Sequence, residues 1–187
     1  MKTFRYNRSG DSSDAIILHL DGDRKYSRRA YQYYNRLHLN AIVESIPENK
    51  QEFIVSELLR KYKPDILIAT GHDSMNKRGQ QFYNMENYKN SKYFVNTVKK
   101  ARRWESSEEG LIIFAGACES FYEAIMEEGA NFASSPGRIM IDYMDPLIVA
   151  SKVALTNRNK YITIREMSPF LKNGMVGIGG TKAIGKY

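Results

Sequence analysis

The chain has 187 residues, 42% hydrophobic and 26% charged, which is an ordinary globular balance and excludes a disordered or fibrous chain. Its length allows roughly 70% of the unfolded surface to be buried, so one domain needs no covalent staples. The net charge of +7 leaves room for a polyanionic partner, but the cations are spread along the chain and no single Lys/Arg block dominates. No apolar run approaches the ~18–20 residues that cross a bilayer, and the first residues lack the apolar stretch of a secretory signal. With Cys118 as the single cysteine, no intrachain disulfide forms.

Residues 1–13 are polar and read as a flexible N-terminal segment; one domain is expected over 14–187. Residues 15–20, AIILHL, form a short apolar run closed by Asp21-Gly22-Asp23, which reads as a buried strand. His19 lies inside it and reads as a satisfied core group. Apolar and aromatic residues at helical spacing predict a helix over 24–38, with Asp23 as its cap and His38 at its end. A strand at 39–45 follows. Pro47 opens a helix over 48–62, and Lys63-Pro64 ends it. DILIAT (65–70) is a third strand. Ser74–Asn90 has no clear period and is long for a loop. It is expected to border the functional cleft and to be mobile there, with Lys77, Arg78 and Gln80 exposed. A helix over 91–104, a strand at 111–117, a helix over 119–129, a strand at 130–134 and a helix over 145–155 complete the core of 14–156. Asp145 is expected to cap the last helix with Pro146 at its first position. The part from 157 to 187 reads as less regular.

Alternating strands and helices imply parallel crossovers, and continuous apolar strands imply burial on both faces. The fold class is therefore α/β, a three-layer αβα arrangement around a mainly parallel sheet. In such sheets function gathers just past the carboxyl ends of the strands. Three such ends carry chemistry here: Asp21-Gly22-Asp23, Gly71-His72-Asp73 and Gly116-Ala117-Cys118. A cysteine between a strand end and a helix start has N–H groups and a positive dipole end beside it, which lower a thiol pKa. His72 at a neighbouring strand end is where a proton carrier is needed.

An apolar strand ending in His and a later one ending in Ala-Cys resemble the caspase–gingipain–legumain group of cysteine peptidases. A more specific resemblance runs over 16–187. LHLDGD (18–23), KPDILIATGHD (63–73), NSKYFVNTVKKAR (90–102), IIFAGACESFYEAIMEEGANFASSPGRI (112–139) and VGIGGTKAIGKY (176–187) resemble the YabG family of sporulation-specific peptidases. The resemblance implies a caspase-like fold and a sporulation-specific cysteine endopeptidase that processes spore coat proteins, located in the mother-cell cytoplasm and the spore coat. Family members typically carry an additional N-terminal region that is not seen here, so the resemblance implies either a catalytic domain or a short relative.

By position, Cys118 is the implied nucleophile and His72 its partner. The Cys118 N–H and an N–H of Gly71 or Asp73 are expected to hold the oxyanion. Asp73 stands where the wider group has glycine, and it is one candidate for orienting the imidazole. Arginine-directed members carry a pocket carboxylate some fifty residues before the histidine, which points to Asp21 and Asp23; Asp21 suits the pocket and Asp23 the helix cap. Cleavage after Arg, more weakly after Lys, is expected. No metal and no cofactor are implied, since one cysteine and three scattered histidines have no ligand spacing. Gly180–Lys186 fits G-x-x-x-x-G-K, but no helix follows to receive a phosphate.

Two other classes remain open from the residues alone. One is a spore-coat scaffold module with a vestigial site. The other is a nucleic-acid-binding protein, for which Tyr26, Tyr31, Tyr33 and Tyr34 among Arg24, Arg28, Arg29 and Arg36 offer a stacking surface. No nucleic-acid or membrane partner is expected on the peptidase reading, and spore coat proteins are then the substrates.

Overall fold

The computed structural model describes residues 3–5, 14–76 and 81–187. β1 (Thr3–Arg5) precedes β2 (Ile16–Asp21), the first of the apolar runs read in the sequence, which carries His19 within it and ends at Asp21. Asp23 then starts α1 (Arg24–Arg36), accepting from the Lys25 and Tyr26 N–H groups, so the predicted cap forms. β3 (Asn40–Ser45) and α2 (Glu48–Tyr62) follow, and α2 ends at Lys63 in the left-handed region just before Pro64. β4 (Ile66–Thr70), α3 (Ser91–Trp104), β5 (Ile112–Ala115), α4 (Tyr122–Glu127), β6 (Phe132–Ser134) and α5 (Met144–Leu155) complete the alternation. The last part holds β7 (Tyr161–Thr163), α6 (Ile164–Met167), α7 (Gly174–Gly177), β8 (Ile178–Gly180) and β9 (Lys182–Ile184).

Among the described residues the main sheet has seven strands in the order β1-β3-β2-β4-β5-β6-β8. The five inner strands are parallel, and β1 and β8 close the edges antiparallel. One face packs Tyr34 of α1 and Val149 and Val153 of α5 on Ile17, Ile68 and Phe114. The other packs Leu58 of α2, Phe94 and Val98 of α3 and Ile125 of α4 on Leu18, Leu67 and Ile113. The inner parallel strands thus bury both faces, as parallel sheets require. The three-layer αβα architecture predicted from the alternation is the observed one, consistent with a caspase-like arrangement.

Several local expectations change. Within the N-terminal segment expected to be flexible, Thr3–Arg5 pair with Arg5 opposite Ile42 and Thr3 opposite Glu44; residues 1–2 and 6–13 lie outside the described residues. The 157–187 part supplies the edge strand β8 and a separate two-stranded sheet of β7 and β9. Asp145 does not cap α5. The helix begins one residue earlier, Asp142 Oδ1 accepts from the Met144 N–H at 3.0 Å, and the buried Asp145 carboxylate instead accepts from the Lys172 and Asp142 N–H groups. Asp145 therefore ties α5 to the chain that leads into α7. The segment following β4 is ordered in part: Met75 bridges Tyr88, and Asn76 N–H donates to Asn87 O at 2.8 Å. Lys77, Arg78 and Gln80, singled out as exposed cleft residues, lie outside the described residues.

Candidate active site

β2, β4 and β5 lie side by side, with Asp21 opposite Thr70 and Ala69 opposite Ala115. Their carboxyl ends therefore release the three predicted segments along one rim. A cavity of about 330 Å³ opens there, and Asp21, Gly71, His72, Gly116, Ala117 and Cys118 all line it. Tyr26, Met140, Ile141, Tyr143 and Pro146 form its apolar wall. Residues 72 and 118, separated by 118 − 72 = 46 positions in the chain, thus face one space.

The chain reaches Cys118 through a turn that only glycine fits. Gly116 has φ +106°, and a Cβ there would stand 2.4 Å from Ser134 Oγ. Beyond it, Ala117 N–H donates to Ser120 Oγ, and Ser134 Oγ donates to Ala117 O at 2.7 Å. This turn occupies the residues expected to start the helix, so α4 begins only at Tyr122 and Cys118 is not at a helix N-terminus. Cys118 is half-buried, and its Sγ lies 3.8 Å from Ile141 O. Burial pushes the Cys118 thiol up, with the Glu119 and Asp73 charges adding to it. The lowered thiol expected from a helix dipole is therefore corrected.

His72 is presented differently. Its side chain is 61% exposed. Its N–H donates to Glu48 Oε1 at 2.6 Å, and its ring Nδ1 lies 3.6 Å from the same oxygen. Ring Nε2 lies 3.9 Å from Asp23 Oδ2, and the Tyr26 ring is 6.2 Å away, centroid to centroid. The Glu48 carboxylate is wedged against two glycines: a Cβ at Gly22 or at Gly71 would stand 2.2 Å from Glu48 Oε1. Among the described residues no hydrogen bond joins Cys118 Sγ to the His72 ring.

Asp73 does not orient the imidazole. Its buried carboxylate accepts from Ser91 Oγ, from Ser120 Oγ at 2.9 Å, and from the Asn90 and Ser74 N–H groups at 2.7 and 2.9 Å. Burial still pushes its carboxyl up against those bonds. Ser91 Oγ also accepts from the Phe121 N–H at 2.8 Å, so Asp73 ties the His72 loop to the start of α3 and to the Cys118 loop. It positions the two loops relative to each other rather than acting on the ring.

With this geometry in view, the chain matches the family described as "YabG peptidase U57" over residues 5–187. It belongs to that family. The "Sporulation-specific protease YabG" of Bacillus subtilis (strain 168) is 37% identical over 172 residues, covering 90% of this chain and 58% of that protein. The chain thus spans less than two thirds of the length of this relative. A solved structure of the Salmonella typhimurium RcsB response regulator superposes at a TM-score of 0.43 with 10% identity, over 75% of this chain and 58% of that one, a likeness too low to bear on the fold.

In this YabG-family chain the two predicted pocket carboxylates part company. Asp23 Oδ1 is taken up by the α1 cap at 2.6 Å from the Lys25 N, and Asp23 does not line the cavity. Asp21 does line it. Its Oδ1 accepts from the Asp23 N–H at 2.7 Å, and its Oδ2 accepts from Thr70 Oγ1 at 2.9 Å. Thr70 is in turn 3.0 Å from His19 Nε2, and His19 Nδ1 is 3.0 Å from the Tyr34 hydroxyl. Burial holds Tyr34 protonated well above the usual range, so the chain of donors reads Tyr34, His19, Thr70, Asp21. His19 is thus the satisfied core histidine expected, and the row of bonds it belongs to fixes the Asp21 carboxylate at the cavity wall. Of the expected oxyanion donors, Gly71 and Cys118 line the cavity and Asp73 does not.

On the far side of His72 lies a second hollow of about 420 Å³, bordered by Gly22, Glu48, Lys89, Asn90 and Tyr93. Lys89 and Asn90 belong to the loop expected to border the functional cleft; they line this hollow instead, and no described residue of 74–90 lines the cavity that holds Cys118. Glu48 carries no signal of this role in the sequence. An acid in the first turn of a helix is ordinary dipole complementation, and nothing in its local sequence connects it to His72, 24 residues away.

Other candidates are placed elsewhere. Lys182–Ile184 is a strand and Lys186 Nζ donates to Glu109 O, so the G-x-x-x-x-G-K spacing forms no phosphate loop. Among the described residues no group of three or more His, Cys, Asp or Glu side chains is placed to hold a metal ion, and no helix is long and apolar enough to cross a membrane.

The raised thiol has a measurable consequence. Alkylation by iodoacetamide follows the thiolate fraction. The rate constant at Cys118 in the substrate-free protein is expected to stay low near neutral pH and to climb only above the ordinary cysteine range of about 8.5. A fast, pH-independent reaction from pH 6 upward would show a preformed thiolate and contradict this geometry.

Proposed function

We propose that this chain is the catalytic part of a sporulation-specific cysteine endopeptidase that cuts spore coat proteins after Arg, and more weakly after Lys, in the mother-cell cytoplasm and spore coat. The reading rests on family membership and on one observation above all: Cys118 and His72 leave the ends of adjacent parallel strands and line the same cavity.

The steps follow from that placement. With substrate bound in the cavity, the Cys118 thiol gives its proton to His72, and the sulfur attacks the scissile carbonyl. A C–S bond forms, and the oxyanion is met by the Cys118 N–H and an N–H of the Gly71–Asp73 turn. The C–N bond breaks as His72 passes the proton to the leaving amine. Water, deprotonated by His72, then attacks the thioester, and the proton returns to the departing thiolate. The raised thiol suits this order, because nucleophile and base meet through the substrate rather than as a standing ion pair.

Glu48 acts on His72 in two ways in this scheme. It accepts the backbone N–H that sets the loop, and it places a carboxylate beside the ring that carries positive charge in each step. Glu48→Gln keeps the acceptor and removes the charge. It is expected to lower kcat about tenfold to a hundredfold with KM little changed. Glu48→Ala, which removes both, is expected to fall further, and equal activity of all three proteins would remove Glu48 from the scheme.

The proposal as a whole is tested by incubating the purified chain with candidate coat proteins and sequencing the new termini by mass spectrometry. New termini following Arg or Lys, absent with Cys118→Ala, are expected. Cleavage that survives Cys118→Ala would overturn it.

A further inference from the structure

Arg24, Lys25, Arg28 and Arg29 are all exposed on the outer face of α1. This face works against its own helix on two counts. Arg24 and Lys25 sit in the first turn, where the helix presents its positive pole and cations are unfavourable; the Asp23 carboxylate caps that turn from outside, and no acid stands within it. Arg24 and Arg28, and Lys25 and Arg29, are four residues apart, so like charges stack along the surface. α2 follows the dipole, beginning with Glu48 and ending with Arg60 and Lys61, and α3 ends with Arg102 and Arg103, although α3 also carries Lys92 in its first turn and α4 ends on Glu127. Among the described residues no ion pair relieves Arg24, Lys25 or Arg28. The like charges stacked along this face suit an anionic partner.

The same residues line a groove of about 590 Å³ together with Gln32. The groove reaches the active-site cavity through Arg29, whose guanidinium lies 5.8 Å from the Tyr26 ring and 5.1 Å from the Tyr143 ring; both tyrosines form the cavity wall. We propose that this face is a docking surface for an acidic stretch of the polypeptide substrate, lying outside the residues that flank the cut. The inference rests on the peptidase reading and extends it to substrate selection. A nucleic acid fits the face less well. The tyrosines that would stack bases are withdrawn: Tyr34 is buried, Tyr31 and Tyr33 pack against the core, and Tyr26 stacks on Tyr143 at 5.4 Å.

The test separates docking from catalysis by using the Cys118→Ala protein. A fluorescein-labelled peptide with a run of Asp and Glu, and an uncharged peptide of the same length, are titrated and read by anisotropy. The acidic peptide is expected to bind at least about tenfold more tightly, with the advantage lost in Arg24→Gln/Arg28→Gln and falling several-fold between about 50 and 200 mM salt. Relief of the like charges should leave the melting temperature of that double variant unchanged or higher; a lower one would remove the premise that these cations serve a partner. In the active protein, an acidic extension on a cleavable peptide should lower KM and leave kcat unchanged, and Arg24→Gln/Arg28→Gln should abolish only that gain. Equal binding of both peptides, or a gain that survives the double variant, overturns the proposal. So does single-stranded DNA binding tightly to the face while the acidic peptide does not. If acidic peptides bind as expected but no peptide is cut, the peptidase reading has failed and the docking surface stands by itself.

Discussion

Cys118→Ala and His72→Ala are each expected to lower peptide-bond hydrolysis by at least about 10³-fold while leaving the fold in place. The size of the effect follows from the chemistry: without the sulfur no acyl intermediate forms, and without the imidazole the leaving amine departs unprotonated. The survival of the fold follows from the structure. His72 projects into solvent, and Cys118 is half-buried at a cavity wall, so neither truncation opens a closed core cavity. The cost in stability should stay well below the ~2–5 kcal/mol of a large core deletion. Far-UV circular dichroism and melting temperature measured beside the rate constants check both halves. A Cys118→Ala protein that still cuts places the nucleophile elsewhere. One that fails to fold would make Cys118 a core residue, the commoner role of a free cysteine.

The second large effect concerns Asp21. Asp21→Asn is expected to reduce kcat/KM on Arg substrates about 10²-fold, through loss of a charge-assisted pair in a partly desolvated site. Asparagine is the right probe because alanine would strip the acceptor from the Asp23 N–H and from Thr70 Oγ1 and so disturb the rim itself. The amide keeps the shape and can reverse the Thr70 bond. A guanidinium pairs with a carboxylate in a fork, which an ammonium does not, so the loss should be larger for Arg than for Lys substrates. Unchanged kcat/KM, or cleavage after acidic or apolar residues, would remove Asp21 from the specificity pocket.

Much of the framework is written in local patterns. The alternation of closed apolar runs with helical periodicity is enough for a parallel three-layer sheet, because only burial on both faces makes such strands apolar throughout. The rule that function lies past the carboxyl ends of strands then selects residues 21–23, 71–73 and 116–118 before any contact is known. Asp23 as a cap and His19 as a core histidine were equally legible, since each is decided within one element and its neighbours. The edge strands were not. Three-residue segments such as β1 and β8 carry too few residues to show a period, and they are held in the sheet by pairing with strands far away in the chain.

What only the tertiary structure decided is the setting of each candidate group. The helical composition of 119–129 sets Cys118 beside a helix start. Ser120, held by Asp73 from another loop, keeps that stretch in a turn, and burial of the sulfur reverses the expected sign of the thiol shift. Asp73, next to His72 in sequence, ties two loops together through Ser91, Ser120 and Asn90, because adjacent side chains point apart. Glu48 reaches His72 only because α2 returns along the sheet to the rim that β4 leaves, and because Gly22 and Gly71 leave room for its carboxylate. Residue type and spacing determined where chemistry gathers; burial, hydrogen bonding and charge around each group depend on segments tens of residues away, and those contacts exist only once the sheet has formed.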